Sequence, residues 1–554
     1  MKAVLLAVLA ANLFAESWSV KIPMRDGVLL AADVYGADPA HPKPVLLSRT
    51  PYDKEGGAKS AIEYARHGYA VVIQDCRGRY ASGGDYTPYN DDRQDGFDTI
   101  EWINRQPWSN GRLGMFGGSH LGLVQWLAMA EKAPGLVTIA PAFAPSSLYR
   151  VAYRDGALRL ALISSAGTRT HPPPSPRKLP AEINFLHNHL PVMHLPLARL
   201  EEAYGWSLPW MSSLLAHPAF DGFWRQTSGE EEIQSSDLPV QIVTGYYDFY
   251  HHEAVQDFFR LRNRNSKAQA QLIIGPWMHG GTSQSKTQDI DFGPDARIDL
   301  QATNLRWFDR HLKGQAPVHP EPAVRYFVLG ANTWREAQAW PPEEAKETPL
   351  YLRAGGVAGF AQPEADERFS EFESDPDKPV PAVPSIKSGV SRAALWSPMD
   401  YTEISSRKDV LTWTTRALNR PVVFAGPLKA DLWVETDTPD ADWVVRLFAV
   451  PPKGIALPIG HGITRAAFRD SAARSSPITP GQQYALSVDL GSGAASLPAG
   501  YRLRIVIAGS SFPMYDRNLH TAEGPFSARA IRAHQKVHHR RGLASKIVLP
   551  VLRK

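Results

Sequence analysis

Apolar and polar positions along the first third of the chain fall into two alternating rhythms. The runs "KPVLLSRTPYD", "YAVVIQD", "GRLGMFG" and "GLVTIAPAFA" are short and almost continuously apolar, the pattern of strands covered on both faces. Between them, "AKSAIEYARHG" and "DDRQDGFDTIEWINRQ" carry apolar residues at helical spacing, the second setting Phe97, Ile100, Trp102 and Ile103 among acidic positions. Ahead of them, "WSVKIPMRDGVLLAADVYGAD" places two alternating segments around Asp26-Gly27, a hairpin signal. Strands alternating with helices at these lengths predict βαβ units and a parallel sheet.

The rhythm breaks after Ser146. Residues 146–238 contain "THPPPSPRKLP" and helical pieces such as "PLARLEEAYGW" and "WMSSLLAHP", so a mainly helical insertion is expected. It resumes with the strand "LPVQIVTGYYD", the helix "EAVQDFFRLRN", the strand "AQAQLIIGPW" and the closing helix "ATNLRWFDRHLKG". Beyond Pro342, short apolar strands recur between turns ("DVLTWTT", "LKADLWVETD", "DWVVRLFAV", "YRLRIVIAG") and long helical patterns vanish, which predicts a sandwich or jelly roll. The expected organisation is an α/β core in 16–145 and 239–342, a helical cap in 146–238 and an all-β domain in 343–554. A cap inserted between halves of a sheet covers the C-terminal strand ends, where open α/β sheets bind ligands.

Length agrees with about three domains. The net charge of +4 is spread over 554 residues with no basic stripe, so neither nucleic acid nor an anionic membrane surface is implied as a partner. The single cysteine, Cys76, rules out an intrachain disulfide and a cysteine-rich metal site, and it reads as a small buried hydrophobe. "MKAVLLAVLAANLFAES" has one basic residue, an apolar run and Ala15 before Glu16, which reads as a signal peptide over residues 1–15 and predicts a periplasmic or secreted protein. No later stretch is long and apolar enough to span a bilayer, and the chain admits a homo-oligomer.

Chemistry concentrates at "GMFGGSHLGLVQWLAMA", where one serine, Ser119, stands between glycines at a strand-to-helix corner. Such a corner lifts the hydroxyl out of the core, the logic of a nucleophile elbow. A serine hydroxyl needs a base held by a third group. In α/β-hydrolases the order is nucleophile, acid, histidine, each after a strand. Asp248 follows "VQIVTGYY" and His279 follows "AQLIIGPW", in that order. Of the rivals, His251 and His252 start a helix as lid or substrate contacts, and Asp257 lies inside a helix in a surface role. Asp75 ends an earlier strand and is expected to pair with Arg77 or Arg79.

The motifs "SRTPYDK", "DCRGR", "GGSHLG", "GYYD" and "GPWMHG" together resemble the cocaine esterase family of serine hydrolases, related to X-prolyl dipeptidyl-peptidases and α-amino acid ester hydrolases. The resemblance covers nearly all of the chain after the signal-like segment. It implies an α/β-hydrolase core, a helical cap and a C-terminal jelly roll, with Ser119 as nucleophile, Asp248 as acid and His279 as base. It also implies an oxyanion hole from the Tyr52 hydroxyl and the backbone N–H of His120, with no metal or organic cofactor. His120 stands where the family usually has tyrosine, which leaves the backbone donor intact. The α-amino acid ester hydrolases carry further carboxylates just after the acid to grip a substrate ammonium. Here the sequence runs Asp248-Phe249-Tyr250-His251-His252-Glu253, so recognition of a free amine is weakened. Glu253 reads as a helix-start residue favourable to the dipole, with Glu201 and Glu202 of the cap as other candidates. Tyr247, Phe249 and Tyr250 are candidates for a pocket taking an apolar acyl group. These residues predict ester or amide cleavage through an acyl-enzyme on a small ester, amide or short peptide. The alternatives are X-Pro dipeptidyl-peptidase or α-amino acid ester hydrolase activity, and an inactive surface- or carbohydrate-binding protein.

Overall fold

The computed structural model describes residues 17–171, 191–264, 267–317, 319–364, 366–384, 395 and 397–553. The signal-like segment and part of the expected cap lie outside these residues. Strands β1 (Ser17–Pro23), β2 (Leu29–Tyr35), β3 (Lys43–Thr50), β4 (Ala70–Asp75), β5 (Ser109–Gly118) and β6 (Leu136–Ala142) open the chain. Among them stand helices α1 (Ala58–Arg66), α2 (Asp92–Asn104) and α3 (His120–Ala130). After a two-residue pair, β7 (Tyr153–Arg154) with β8 (Ala157–Leu158), the sheet resumes at β9 (Val240–Gly245) and β10 (Ala270–Gly275). A second small pair follows, β11 (Lys286–Thr287) with β12 (Ile290–Asp291), and then β13 (Val324–Val328) and β14 (Thr333–Ala337).

The ten-stranded sheet runs β1-β2-β4-β3-β5-β6-β9-β10-β13-β14. Its centre is parallel as expected, but β1–β2, β2–β4 and β13–β14 pair antiparallel, so the sheet is mixed. The last two strands were invisible as members of this sheet. They follow α10 (Leu300–Lys313), which starts on the Asp299 side chain accepting from Ala302 N–H and stops at left-handed Gly314, as a closing helix would. Helices α4 (Leu148–Ala152), α5 (Leu160–Thr170), α6 (Leu200–Tyr204), α7 (Pro209–Ala216) and α8 (Gly222–Arg225) lie between β6 and β9, ahead of α9 (His251–Asn263). They bury Tyr149, Leu162, Met211, Leu214 and Trp224 in one cluster that takes in Leu123 of α3 and, from the β9 end, Phe249 and Tyr250.

The acidic positions Asp92, Asp95 and Asp98 of α2 are buried. Arg49 meets Asp92 at 3.0 Å, Arg77 meets Asp95 at 2.6 Å and Arg25 meets Asp98 at 2.8 Å. Burial removes water from these carboxylates, and the paired guanidiniums replace it.

Among the described residues, the C-terminal region is all-β apart from α11 (Thr402–Ser405) and single turns. Its strands are β15 (Ala345–Arg353), β16 (Val357–Gly359), β17 (Phe369–Ser374), β18 (Val410–Thr415), β19 (Val422–Thr436), β20 (Asp442–Val450), β21 (Leu457–Arg465), β22 (Tyr484–Leu497), β23 (Arg502–Ala508), β24 (Ala533–His538) and β25 (Lys546–Leu552). They form one sheet in the order β17-β24-β19-β25-β15-β16-β18-β23-β20-β21, with β22 paired to β19. The sheet doubles over, so that β22 also packs against β20 and β21 around Trp443, Leu447, Leu486 and Val488. The two regions are stitched by main chain. Leu329 N–H donates to Ala494 O, and Ser496 N–H donates to Leu329 O, both at 2.9 Å. No helix among the described residues is long and apolar enough to cross a membrane.

Candidate active site

Strand β5 delivers Ser119 to the corner before α3 with φ 59° and ψ −122°, a conformation that costs a non-glycine residue about 1–3 kcal/mol and persists only where its surroundings impose it. Those surroundings are close. Ser119 N–H donates to Ala142 O at 2.9 Å, and Gly117 turns at φ +135°. A Cβ on Gly122 would fall 2.5 Å from the Ala144 Cβ, so only glycine lets α3 approach β6 this tightly.

Asp248 and His279 come from the ends of neighbouring parallel strands, β9 and β10, in register from Val240 opposite Ala270 to Gly245 opposite Gly275. His279 Nδ1 meets Asp248 Oδ1 at 2.8 Å, and the Thr244 hydroxyl donates to Asp248 Oδ2 at 3.3 Å. The Asp248 side chain is inaccessible, while that of His279 is 22% exposed. A carboxylate on Nδ1 keeps the proton there and leaves Nε2 as the acceptor. Phe249 stacks on the imidazole at 4.3 Å, and Tyr250 and Phe143 meet it edge-on at 5.6 and 5.8 Å. Phe143 was missed by sequence reasoning; its only signal is an aromatic just past the apolar strand next to β9.

On the other side of the elbow, Tyr52 follows β3 and is 56% exposed, its N–H donating to Thr50 Oγ1 at 3.0 Å. Its ring meets that of His120 edge-on at 6.1 Å. His120 is the first residue of α3, where N–H groups lack partners within the helix and the dipole favours negative charge. Its side chain points away from solvent, stacked on Tyr89 at 4.1 Å with Nε2 3.7 Å from Asp92. Burial lowers the His120 pKa against the pull of Asp92. For Asp92, burial is outweighed by Arg49 and His120, and its carboxyl sits below its ordinary value. Cys76, Asp92 and His120 are the one group among the described residues that brings three metal-donor atoms within 4.8 Å. Arg49 already holds Asp92, so this group serves as a support for the start of α3.

Several expected pairings are corrected. Asp75 does not pair with Arg77 or Arg79; it accepts from the backbone N–H of Lys54 at 2.8 Å and Ala81 at 3.3 Å. Arg77 goes to Asp95 and Asp26, and Arg79 donates to Pro51 O at 3.0 Å. Asp75 and Arg79 therefore both anchor the loop that carries Tyr52. Tyr247 faces away from the Asp248–His279 pair: it stacks on Phe292 at 6.0 Å, and its hydroxyl donates to Pro458 O in the β region. His251 Nε2 meets Ser492 O at 2.8 Å and His252 Nδ1 lies 3.3 Å from Asp489, so both face the β region as well. Asp257 is buried, accepting from Ser146 N–H and Oγ–H at 2.7 Å each. Glu253 is buried on Arg159, which also donates to Phe249 O. In the cap, Glu201 accepts from Leu208 N–H at 3.0 Å and Glu202 pairs with Arg199 and His194.

A groove beside the elbow is lined by Thr50, Tyr52, Phe116, Gly117, Leu121 and Asn304. The candidate residues thus comprise a strained serine corner, an imidazole on a dry carboxylate, and a tyrosine close to the helix N-terminus that follows the serine.

Comparison with known proteins agrees. Residues 26–281 match the X-Pro dipeptidyl-peptidase (S15) family, and residues 317–548 match the X-Pro dipeptidyl-peptidase C-terminal non-catalytic domain. Cocaine esterase of Rhodococcus sp. (strain MB1 Bresler) is 33% identical over 98% of this chain and 99% of its own length. Among solved structures, an α-amino acid ester hydrolase has a TM-score of 0.83 and 27% identity, covering 99% of this chain and 98% of its own. An aminopeptidase from the marine sediment archaeon Thaumarchaeota archaeon has a TM-score of 0.83 and 26% identity, covering 98% of this chain and 97% of its own. Fold and sequence together place this chain in the cocaine esterase family of S15-type hydrolases.

Proposed function

We propose that this chain is a serine hydrolase that cleaves carboxylic esters through an acyl-enzyme on Ser119. The observation that carries the reading is the 2.8 Å bond between His279 Nδ1 and Asp248 Oδ1 at adjacent strand ends of the sheet whose β5 ends in the strained Ser119 corner. His279 Nε2 takes the proton as Ser119 Oγ attacks the carbonyl carbon and returns it to the leaving alcohol. Water then repeats the cycle on the acyl-enzyme and releases the acid. The negative charge on the carbonyl oxygen is met by the Tyr52 hydroxyl and the His120 N–H. Phe249 and Tyr250 supply an apolar wall for the acyl group.

Esters are favoured over peptides with a free N-terminus because the carboxylates near the acid are already engaged. Glu253 is held by Arg159, Glu201 caps a backbone N–H and Glu202 pairs with Arg199, so an incoming ammonium would have to displace an existing partner. The test compares a p-nitrophenyl acyl ester with a Gly-Pro anilide. Faster turnover of the ester supports the reading; preference for the anilide, lost when its amine is acetylated, overturns it in favour of a dipeptidyl-peptidase. Fluorophosphonate labelling of the wild type, abolished by Ser119→Ala, tests the nucleophile. An unlabelled folded wild type would favour a binding role. Export through residues 1–15 is part of the same proposal, tested by the N-terminal sequence of the mature protein.

A further inference from the structure

Two arginines at the junction of the α/β and β regions are buried with no ion pair among the described residues. Arg154 feels Glu253 and Asp489 only from beyond contact distance, and burial lowers the pKa of Arg446 with no carboxylate to offset it. Arg446 on β20 and Arg154 on β7 are each 6% exposed, and among the described residues neither lies within ion-pair distance of a carboxylate. Arg446 donates only to neutral oxygens, Ala382 O and Ser511 Oγ, both at 2.8 Å, and its guanidinium lies over the Tyr401 ring at 5.2 Å. Arg154 donates to His461 O and Asp489 O, and its Nε has no partner among the described residues. Burying a cation without an anion is costly, and the cost is ordinarily met by pairing. The same protein does pair such a residue nearby. On β21, Arg465 holds Asp442 at 2.9 Å and Asp516 at 3.0 Å.

Both unpaired arginines line one cavity, behind the Asp248–His279 pair. One part of its wall is apolar or aromatic, with Tyr247, Phe249, Phe448, Ile459 and Leu490 among it, and another is polar, with His251, His252, His461 and Ser492. His251, 6% exposed, borders it with an unpartnered Nδ1. Asp248 also borders it, but both its oxygens are taken, by His279 and Thr244. Ser119, His279 and Tyr52 are not part of its wall. Burial, Arg154 and Arg446 hold His461 well below its ordinary pKa, so this wall histidine is neutral and the positive charge stays on the arginines.

We propose that this cavity binds a monocarboxylate with an apolar tail, its oxygens on Arg446 and Arg154 and its tail among the aromatic and aliphatic walls. A planar guanidinium matches a carboxylate by two parallel bonds, and the walls would bury a ring or short alkyl chain. The cavity shares Asp248 and Phe249 with the proposed acyl site, but Ser119, His279 and Tyr52 do not line it, so binding there does not require the reaction assigned to Ser119.

The test uses the full-length protein with Ser119 capped by a fluorophosphonate or replaced in Ser119→Ala, so that the acyl site is blocked in one form and inert in the other. Phenylacetate should bind both forms in calorimetry, and the neutral isostere phenylacetamide at least tenfold more weakly. Arg446→Met should weaken phenylacetate at least tenfold, and Arg446→Lys, which keeps the charge but not the fork, by a smaller factor. Should Arg446→Met fail to fold, hydrogen exchange on the wild type decides: added phenylacetate should slow exchange in 442–450 and 457–465 but not in 120–130. Equal binding of the amide, binding confined to the uncapped form, protection confined to 120–130, or no binding at all would each overturn the proposal. Inorganic phosphate binding as tightly as phenylacetate would overturn the apolar-tail assignment.

Discussion

His279 sits between three aromatic rings and a buried carboxylate, whereas Tyr52, flanking the elbow from the other side, keeps 56% of its surface open to solvent. The acid–histidine side is held by packing: Phe249, Tyr250 and Phe143 leave the imidazole little freedom, and register between β9 and β10 fixes its distance from Asp248. The tyrosine side is held through its backbone, by Asp75 on the Lys54 N–H and Arg79 on Pro51 O. Proton transfer demands a fixed ring orientation and tautomer, which a dry, crowded setting imposes. In the proposed reaction, a donor to a transient oxyanion has only to arrive as charge develops, so the Tyr52 hydroxyl on a firmly anchored loop would suffice.

The contrast predicts unequal damage. Asp248→Asn should leave the fold intact while lowering kcat by about 10⁴, since the amide reverses the tautomer of His279. Steady-state kinetics with a p-nitrophenyl ester reads this out, and a loss below tenfold would mean that the pair does not drive proton transfer. Tyr52→Phe should cost about 10²–10³ in kcat with little change in thermal stability, as befits an exposed ring. Near-normal activity would remove Tyr52 from the oxyanion role. Phe249→Ala should lower kcat by roughly tenfold to 10² through a looser imidazole, with a smaller change in KM. If KM alone rises, Phe249 is a substrate wall and the ring is held by other means.

The last effect concerns acid stability rather than turnover. Burial lowers the pKa of His251, His311 and His539 to about 4 each. Each therefore takes up its proton in the unfolded chain near its ordinary value of about 6.5 while the folded chain still excludes it. The stability they confer is present above pH 6.5 and is lost as pH falls through about 4, by on the order of several kcal/mol in all. Urea melts between pH 7 and pH 4 should show this decline, and His251→Gln should flatten it in part. A pH-independent midpoint would contradict the buried neutral state.

The site's chemistry was legible where glycine punctuates a strand end. Ser119, Asp248 and His279 each follow an apolar run closed by glycine, so sheet grammar pointed to the strained corner and to the bonded Asp248–His279 pair. What failed was the direction of side chains just past those points. Tyr247 and Phe249 are two residues apart, yet one joins the β-region core and the other the histidine, because the chain turns at Asp248, whose N–H donates to Gly245 O at 2.9 Å. Partners far along the chain were equally hidden. Nothing local in "DFYHHEAVQDFF" announces that His251 will meet Ser492 or that Asp257 will meet Ser146. The mixed edge of the sheet escaped notice because β13 and β14 come after a helix that ends like a terminal one.

The backbone bonds that tie Leu329 to Ala494 and Ser496 carry an implication for how the chain can be divided. Phe292, Phe327, Leu329 and Tyr247 are all covered by residues from the C-terminal half. A catalytic fragment ending near position 342 would present that greasy flank to water and be prone to clump. Excision of the second half is therefore no route to a minimal enzyme, and chimeras with a relative would need this flank and its cover to be exchanged together.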